Sequence, residues 1–222
     1  MEKTEQLSAE FIGSTILMIA AVSPIILFAE VLESHIGVAL VANAIAVAWV
    51  LFALIEMFRP ISGAHFNPAV TLAMLLDKKI SGLKAAMYIL MQVLGGILGM
   101  IMAHIMFYDE VGGLFFISQV ERGDFNYFSE VIGTFILVFA ILLLVKIKSS
   151  KIPIVVSLLV GGLVMSTSST MFANPQVTIA RMFTSSIVGI RFTDGLVFIV
   201  MQFLGATLAY LVYKLVFSKE LE

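Results

Sequence analysis

Residues 65–73 read HFNPAVTLA, and residues 172–180 read FANPQVTIA. Each stretch has an asparagine followed by a proline, which is typical of a helix start. Asparagine is a preferred N-cap, and proline suits the first turn because its missing N–H would have no partner there. The apolar run after each Asn-Pro pair is too short to cross a membrane, which takes about 20 residues. The sequence therefore predicts two short helices, over about 67–76 and 174–184.

The composition indicates an integral membrane protein. Of the 222 residues, 60% are hydrophobic and 13% are charged, and the mean hydropathy is +1.08, whereas a soluble domain is about 25% charged. The chain has no cysteine, which excludes disulfides and thiol chemistry. It shows no nucleic-acid motif and no basic patch. We expect no cleavable signal peptide, because the first apolar run is long enough to span the membrane.

Six apolar runs are long enough to cross the bilayer. They lie at about 9–28, 37–57, 83–107, 128–145, 153–171 and 193–217. If the two short helices dip into the membrane and return to the side they entered from, ten of the 13 basic residues fall on the side of the termini. These ten are Lys3, Arg59, Lys78, Lys79, Lys84, Lys146, Lys148, Lys151, Lys214 and Lys219. The positive-inside rule then predicts a multi-pass protein of the cell membrane with both termini in the cytoplasm.

The two halves of the chain repeat. EFIGS at 10–14 is similar to EVIGT at 130–134, and MQVLG at 91–95 is similar to MQFLG at 201–205, with one Asn-Pro stretch between the two anchors in each half. Each half has three spans, so the second half enters the membrane inverted. We therefore predict an all-α membrane protein with six transmembrane helices and two re-entrant half-helices in an inverted repeat. The predicted organisation is a single channel domain, 1–222, with half-repeats 1–108 and 127–222 and an extracellular loop, 109–126.

The half-helices suggest a pore. Ten helical residues extend about 15 Å, half of a hydrocarbon core of about 30 Å, so the two Asn-Pro starts would meet near the midplane. Two helix N-termini, each equivalent to roughly +0.5 charge, repel cations and protons there but not neutral molecules. Asn67 and Asn174 would cap their helices with the side-chain oxygen, which leaves each amide NH₂ to donate to a solute. The alternative is that both asparagines are caps alone.

Three further polar residues accompany these motifs. Glu10 and Glu130 begin equivalent spans, and we expect them to accept backbone N–H groups of the re-entrant segments. Exposed helix-start acids are the alternative, and a proton relay is disfavoured because no further acid lies deep in a span. His65 is expected to orient the first motif through a hydrogen bond. The three histidines are too scattered for a metal site, and no nucleophile–base set or cofactor motif is present, so we predict neither an enzyme nor a cofactor.

The stretch ISGAHFNPAVTL at 61–72 resembles the first signature of the aquaporin, or major intrinsic protein, family, and the resemblance covers the whole chain. It implies a homotetramer in the lipid bilayer with one pore in each subunit. The implied pore motifs are Asn67, Pro68 and Ala69 in the first half and Asn174, Pro175 and Gln176 in the second. The resemblance also implies a narrow outer filter of four side chains, which fall on Val47, Gly162, Met171 and Val177.

These filter positions depart from the pattern of the family. Water-selective members resemble each other in an aromatic residue and a histidine at the first two places and an arginine at the last, where this chain has Val47, Gly162 and Val177. We therefore predict a wide, apolar constriction. Arg181, one turn beyond Val177, is expected at the outer mouth; leaning back into the filter and extending to the membrane interface are the alternatives. Gln176 either adds a polar group to the pore or fills space.

The predicted function is a passive channel for water and glycerol-sized polyols that excludes protons and cations. NPQVTIAR at 174–181 is similar to the second motif of a bacterial subgroup, which adds metalloid acids such as arsenite. The alternatives are a secondary transporter, because inverted repeats and half-helices also occur in those, and an anion channel. Water and small neutral solutes are the expected partners, and nucleic acid is not.

Overall fold

The computed structural model describes residues 3–123 and 125–217. Asp124 of the predicted loop and Lys219 of the predicted basic side lie outside these ranges. Within them all regular structure is helical. The elements are α1 (Lys3–Ile25) with a π-helical turn (Ile26–Val31), α2 (Ile36–Ser62), α3 (Pro68–Leu76), α4 (Gly82–Met106), α5 (Tyr108–Val111), α6 (Phe125–Lys146), α7 (Ile152–Ser166), α8 (Pro175–Arg181), and α9 (Phe192–Val212) with a π-helical turn (Tyr213–Phe217).

Five of these segments are long and apolar enough to cross a membrane in the described part of the chain. They are α1 and α9, each with its π-helical turn, and α2, α4 and α6. The fifth predicted span differs, because α7 has only 15 residues and ends at Ser166 rather than near Met171. Beyond that end, Thr170, Met171 and Ala173 all have positive φ, a conformation that a helix does not allow. The rest of this crossing is therefore the irregular approach to α8.

The two half-helices are α3 and α8, nine and seven residues long. The second ends at Arg181, three residues before the predicted end. The loop between the halves also differs from the prediction, because it contains the short helix α5 and because α6 already begins at Phe125. The predicted boundaries 126 and 127 therefore lie inside the first turn of α6.

Close helix crossings hold each half together. Helix α1 packs along α4, and α6 packs along α9 in the equivalent manner. A Cβ on Gly99 of α4 would lie 2.4 Å from the carbonyl oxygen of Thr15, and a Cβ on Gly205 of α9 would lie 2.5 Å from that of Val131. Only glycine permits so close an approach of the two backbones.

Large apolar side chains cover the outside of the helices. Trp49 of α2 is 73% exposed, and Phe125 at the start of α6 is 88% exposed. The polar side chains Glu10, Gln92, Glu130 and Gln202 are instead completely buried. This distribution is the reverse of that in a soluble protein and fits a helix bundle that has lipid as its solvent.

Candidate functional site

The two asparagines of the half-helix starts hold the halves of the protein together. The side-chain oxygen of Asn67 accepts the N–H of Ala69 at 2.8 Å, and that of Asn174 accepts the N–H of Gln176 at 3.2 Å. Each amide nitrogen then donates across the midplane. Asn67 Nδ2 donates to the carbonyl of Ala173 at 2.8 Å, and Asn174 Nδ2 donates to the carbonyl of Phe66 at 2.9 Å.

This reciprocal pair uses one of the two N–H groups of each amide, so a second N–H remains on each. Both asparagines are 5% exposed and line the same cavity. We call it the central cavity. Asn67 and Asn174 thus serve as caps and cross-links at once, and each keeps one donor for a molecule in the cavity.

A buried carboxylate supports the chain ahead of the first half-helix. Glu10 accepts hydrogen bonds from the backbone N–H of His65 at 3.0 Å and of Phe66 at 2.8 Å. It also accepts the hydroxyl of Ser62 at 2.6 Å and the amide of Gln92 at 2.8 Å. Glu10 therefore lies behind the re-entrant segment and binds its backbone.

Glu130 has the equivalent partners in the second half. It accepts the backbone N–H of Phe172 at 3.0 Å and of Ala173 at 2.8 Å, the hydroxyl of Ser169 at 2.6 Å and the amide of Gln202 at 2.6 Å. The carboxylates hold segments whose backbone is strained, since several residues in them have positive φ. These residues are Gly63, Ala64 and Phe66 in the first half and Thr170, Met171 and Ala173 in the second.

Two glutamines complete these networks, and sequence reasoning did not assign them a role. Gln92 also donates to the hydroxyl of Thr71 at 2.9 Å, and Gln202 donates to that of Thr178 at 2.8 Å. Each glutamine thus joins a spanning helix, a carboxylate and a half-helix. The available signal was their repetition in both halves of the sequence, which was used only to establish the repeat.

His65 lies beside the first motif. Its Nδ1 is 3.1 Å from the hydroxyl of Thr71, and its ring meets the ring of Tyr88 edge-on at 5.3 Å. The residue lines the central cavity and also the cavity on the side of the termini, which we call the termini-side cavity. His65 therefore stands where the two cavities join.

The central cavity has two unlike walls. One wall is apolar and is built from α1, α2, α6 and α7: Leu17, Val47, Leu51, Ile55, Leu137, Ile141, Val156, Val160 and Val164. The other follows the re-entrant segments and includes Ala64, His65, Asn67, Thr170 and Asn174. The spanning helices therefore contribute mainly apolar side chains to the cavity, and most of its hydrogen-bonding groups come from the re-entrant segments.

Three of the four predicted filter residues line the central cavity: Val47, Met171 and Val177. The prediction for Gly162 is wrong. Gly162 is exposed on the outside of α7, and a Cβ placed there would meet nothing within 4 Å. Its neighbour Gly161 packs against α2, with a Cβ position 3.0 Å from the carbonyl oxygen of Ala44. Because successive helical residues are about 100° apart, Gly162 turns away from the bundle, and α7 presents Val160 and Val164 instead.

Arg181 does not extend to the outer mouth as expected. It is 6% exposed, and its Nη2 donates to the carbonyl of Ala21 at 2.6 Å. Its guanidinium lies 4.3 Å from the centre of the Phe172 ring, within range of a cation–π interaction. It lines the central cavity and a cavity on the side opposite the termini, which we call the far-side cavity. Arg181 therefore lies buried between the central and far-side cavities.

The remaining motif residues pack rather than face the cavity. Pro68 and Pro175 form the first residue of each half-helix, and Ala69 is completely buried. Gln176 is also completely buried, and its Oε1 would lie 1.9 Å from a Cβ on Gly96 of α4. Neither polar atom of the Gln176 side chain has a hydrogen-bond partner within the described ranges. Gln176 thus fills the space that the absent side chain of Gly96 leaves open.

Arg122 also lines the far-side cavity, and sequence reasoning did not single it out. Its Nε donates to the carbonyl of Gly189 at 2.7 Å, and its Nη2 donates to that of Ile187 at 3.0 Å. The guanidinium lies 5.1 Å from the centre of the Phe172 ring and lines the far-side cavity. Burial lowers the pKa of Arg122, and the charge of Glu130 opposes that shift.

Paired half-helices, cross-linked by asparagines beside the central cavity, define a membrane channel of the inverted-repeat class. The chain matches the Major intrinsic protein family over residues 1–219 and belongs to that family. It is 37% identical over 206 residues to Aquaglyceroporin AqpS of Rhizobium meliloti (strain 1021), with 93% of this chain and 87% of the relative covered. It is 27% identical over 220 residues to Aquaporin-4 of Mus musculus, with 97% of this chain and 68% of the relative covered.

The fold matches the X-ray structure of the aquaglyceroporin from Plasmodium falciparum. The TM-score is 0.74 at 18% sequence identity, and 98% of each chain is covered. Family and fold together identify this protein as a passive channel for water and small solutes rather than an enzyme.

Proposed function

We propose that the channel carries glycerol-sized polyols and neutral metalloid acids along with water, and that it excludes protons and cations. The observation that carries the proposal is the paired Asn67 and Asn174, each with one N–H left for a solute after the cross-link is made. Both donors belong to helix starts, where the helix dipoles are positive. A neutral hydroxyl oxygen can accept these hydrogen bonds, whereas a cation or a proton meets a positive potential.

The two walls of the central cavity support a solute larger than water. A polyol has carbon-bound hydrogens along one edge and hydroxyls along the other, which suits the apolar wall and the re-entrant segments respectively. Val47 and Val177 add no bulk or charge comparable to an aromatic residue or an arginine. The wider, amphipathic passage therefore favours glycerol-sized solutes in addition to water.

The arrangement in the membrane is part of the same proposal. Ten basic residues on the side of the termini favour that side as cytoplasmic and the cell membrane as the location. The equivalent hydrogen bonds of Glu10 and Glu130 support two half-repeats in one channel domain, joined by an extracellular loop that ends where α6 begins at Phe125. A homotetramer with one pore in each subunit is the assembly that membership of the family suggests.

A secondary transporter fits the contacts less well. Coupling to an ion requires a buried group that is free to bind it. Glu10 and Glu130 each accept four hydrogen bonds from protein groups, so neither is left for that purpose. An anion channel is the second candidate, because Arg122 and Arg181 both line the far-side cavity.

The test is solute flux into liposomes that contain the purified full chain. Light scattering follows volume changes under gradients of water, glycerol, arsenous acid and chloride, and a pH dye follows proton entry. We expect glycerol and arsenous acid fluxes well above those of empty liposomes, without saturation at low concentration, and a proton leak equal to that of empty liposomes. Glycerol flux equal to that of empty liposomes would contradict the proposal. Chloride flux in its place would favour the anion channel.

A further inference from the structure

The central and far-side cavities share three lining residues, and all three are polar. They are Asn43 of α2, Thr170 of the segment before α8, and Arg181 at the end of α8. Val47, Met171 and Val177 line only the central cavity. The passage between the two cavities is therefore polar, although the filter positions deduced from the motifs are apolar.

Asn43 is the least expected member of this set. It is 5% exposed, and its Oδ1 is buried without a hydrogen-bond partner within the described ranges. An unpaired buried amide oxygen is costly, and residues in such positions usually pair with something. Asn43 stands one helical turn before Val47 on the same face of α2, so its side chain is directed along the channel.

Arg181 supplies the opposite kind of group. One hydrogen bond, to the carbonyl of Ala21, anchors its guanidinium, and the ring of Phe172 supports one face. A guanidinium has five N–H donors, and the bond to Ala21 uses one of those on Nη2, so further N–H groups on the two terminal nitrogens remain for a passing molecule.

Thr170 completes the set with a hydroxyl that both donates and accepts. It has a positive φ of 57° and follows Ser169, whose hydroxyl is held by Glu130 at 2.6 Å. Its backbone N–H donates to the carbonyl of Thr167 at 3.1 Å. The position of Thr170 is therefore set by the same carboxylate network that positions the second half-helix.

We propose that Asn43, Thr170 and Arg181 form a hydrogen-bonding filter for hydroxylated solutes at the junction of the central and far-side cavities. The proposal rests on the proposed function and names the residues that select for it. A solute hydroxyl donates to Asn43 Oδ1 while its oxygen accepts from Arg181. The charge of Arg181 repels a cation, and a fully ionised anion has no O–H group to donate to Asn43. A neutral hydroxyl group can donate to Asn43 and accept from Arg181.

The test removes polar groups with two substitutions of similar shape and enlarges the junction with a third. Thr170→Val and Asn43→Leu are compared with wild type in the same liposomes, with flux normalised to the amount of monodisperse protein. The matched control is Thr207→Val, because the Thr207 hydroxyl bonds within α9 to the carbonyl of Phe203 and lines none of the three cavities. Arg181→Ala, which shortens a side chain, is measured with glycerol and with the larger polyol erythritol.

We expect Thr170→Val and Asn43→Leu each to lower glycerol permeability by about two- to tenfold and to steepen its temperature dependence, since one hydrogen bond to the solute is lost. Thr207→Val should match wild type. Arg181→Ala should raise the ratio of erythritol to glycerol permeability. If Asn43→Leu yields no monodisperse protein, the glycerol permeability of Thr170→Val tests the proposal, because this substitution hardly alters the side-chain volume.

Wild-type glycerol permeability in Thr170→Val and Asn43→Leu, or an unchanged erythritol ratio in Arg181→Ala, would overturn the filter and leave the proposed function standing. A wild-type protein without glycerol flux would instead overturn the proposed function, and the filter with it. The two failures are therefore distinguishable from the wild-type measurement alone.

Discussion

Individual buried groups determine the shape of the re-entrant segments. Glu10 and Glu130 each accept hydrogen bonds from a re-entrant segment and from a glutamine of a spanning helix, and Phe66 and Ala173, whose N–H groups they accept, have positive φ. Such a backbone costs roughly 1–3 kcal/mol per strained residue and persists only when its surroundings over-determine it. The hydrogen bonds to the two carboxylates hold this backbone in place. Glu10 and Glu130 therefore position Asn67 and Asn174.

Replacing Glu130 with glutamine should destabilise the protein strongly. In wild type, the second carboxylate oxygen of Glu130 accepts hydrogen bonds from the Ala173 N–H and the Gln202 amide. A glutamine has an NH₂ group in place of that oxygen, so two donors would face each other. We expect a loss of about 2–4 kcal/mol in the free energy of unfolding, typical of lost hydrogen bonds to a buried charge. Heating in detergent followed by size-exclusion chromatography measures it. Glu56→Gln, on the exposed side of α2, is the control, and equal stability of the two variants would contradict the prediction.

Val177→Arg should restrict the channel to smaller solutes. Val177 is 6% exposed and lines the central cavity, so an arginine there adds bulk and charge next to Arg181. We expect glycerol permeability to fall about tenfold, equivalent to about 1.4 kcal/mol in the barrier, with water permeability reduced less. Stopped-flow light scattering measures both, and Val177→Met separates the effect of length from that of charge. Unchanged glycerol flux would mean that Val177 does not stand at the constriction.

At the level of helices, glycines set how closely the elements approach. Gly99 and Gly205 bring α1 to α4 and α6 to α9, and these crossings place the glutamines next to the carboxylates. Gly96 does not mediate a helix crossing of this kind. Its missing side chain leaves room for the side chain of Gln176. In the first half the motif has Ala69 at the equivalent position, where no such space is needed.

Gly96→Ala and Gln176→Ala should compensate each other. Alone, Gly96→Ala puts a Cβ 1.9 Å from the Gln176 Oε1 and forces a buried side chain to shift. We expect a loss of about 1–3 kcal/mol in stability, the usual cost of overpacking. Adding Gln176→Ala removes the clash and should recover most of that loss, as a double-mutant cycle of thermal stabilities can show. Additive losses would indicate that the two residues are not in contact.

At the scale of the whole molecule, shared lining residues link three cavities in series within a single chain. The termini-side and central cavities share Ala64, His65 and Val70, among others, and the central and far-side cavities share Asn43, Thr170 and Arg181. Each subunit therefore has its own series of cavities. Its outer faces remain apolar and must be covered by lipid or by neighbouring subunits.

The protein extracted in mild detergent should have a mass, after subtraction of the detergent, of four times the 24.2 kDa chain. Light scattering coupled to size-exclusion chromatography measures it. Because each subunit has its own path, tetramers of mixed wild-type and Val177→Arg chains should show glycerol flux in proportion to the wild-type fraction. A mass of one or two chains would contradict the tetramer, and a steeper dependence on the fraction would contradict independent pores.

Much of the helical plan could be predicted, because long apolar runs and paired helix starts are local properties. The predicted fifth span was too long, since the backbone turns at Thr170 and Met171 depend on a carboxylate 40 residues earlier in the chain. The predicted filter position at Gly162 was wrong because its distance in sequence from Asn174 does not determine how α7 is rotated about its axis. That rotation is decided by the contact of Gly161 with α2.

The sequence by itself determined that this is a membrane channel with two opposed half-helices. Hydrophobic runs, Asn-Pro caps and repeated anchors act through local propensity and through the thickness of the bilayer. Only the tertiary structure decided what faces the solute. Asn43, Thr170 and Arg181 come from three distant parts of the chain, and they meet at one junction because helix packing and the buried glutamates bring them there.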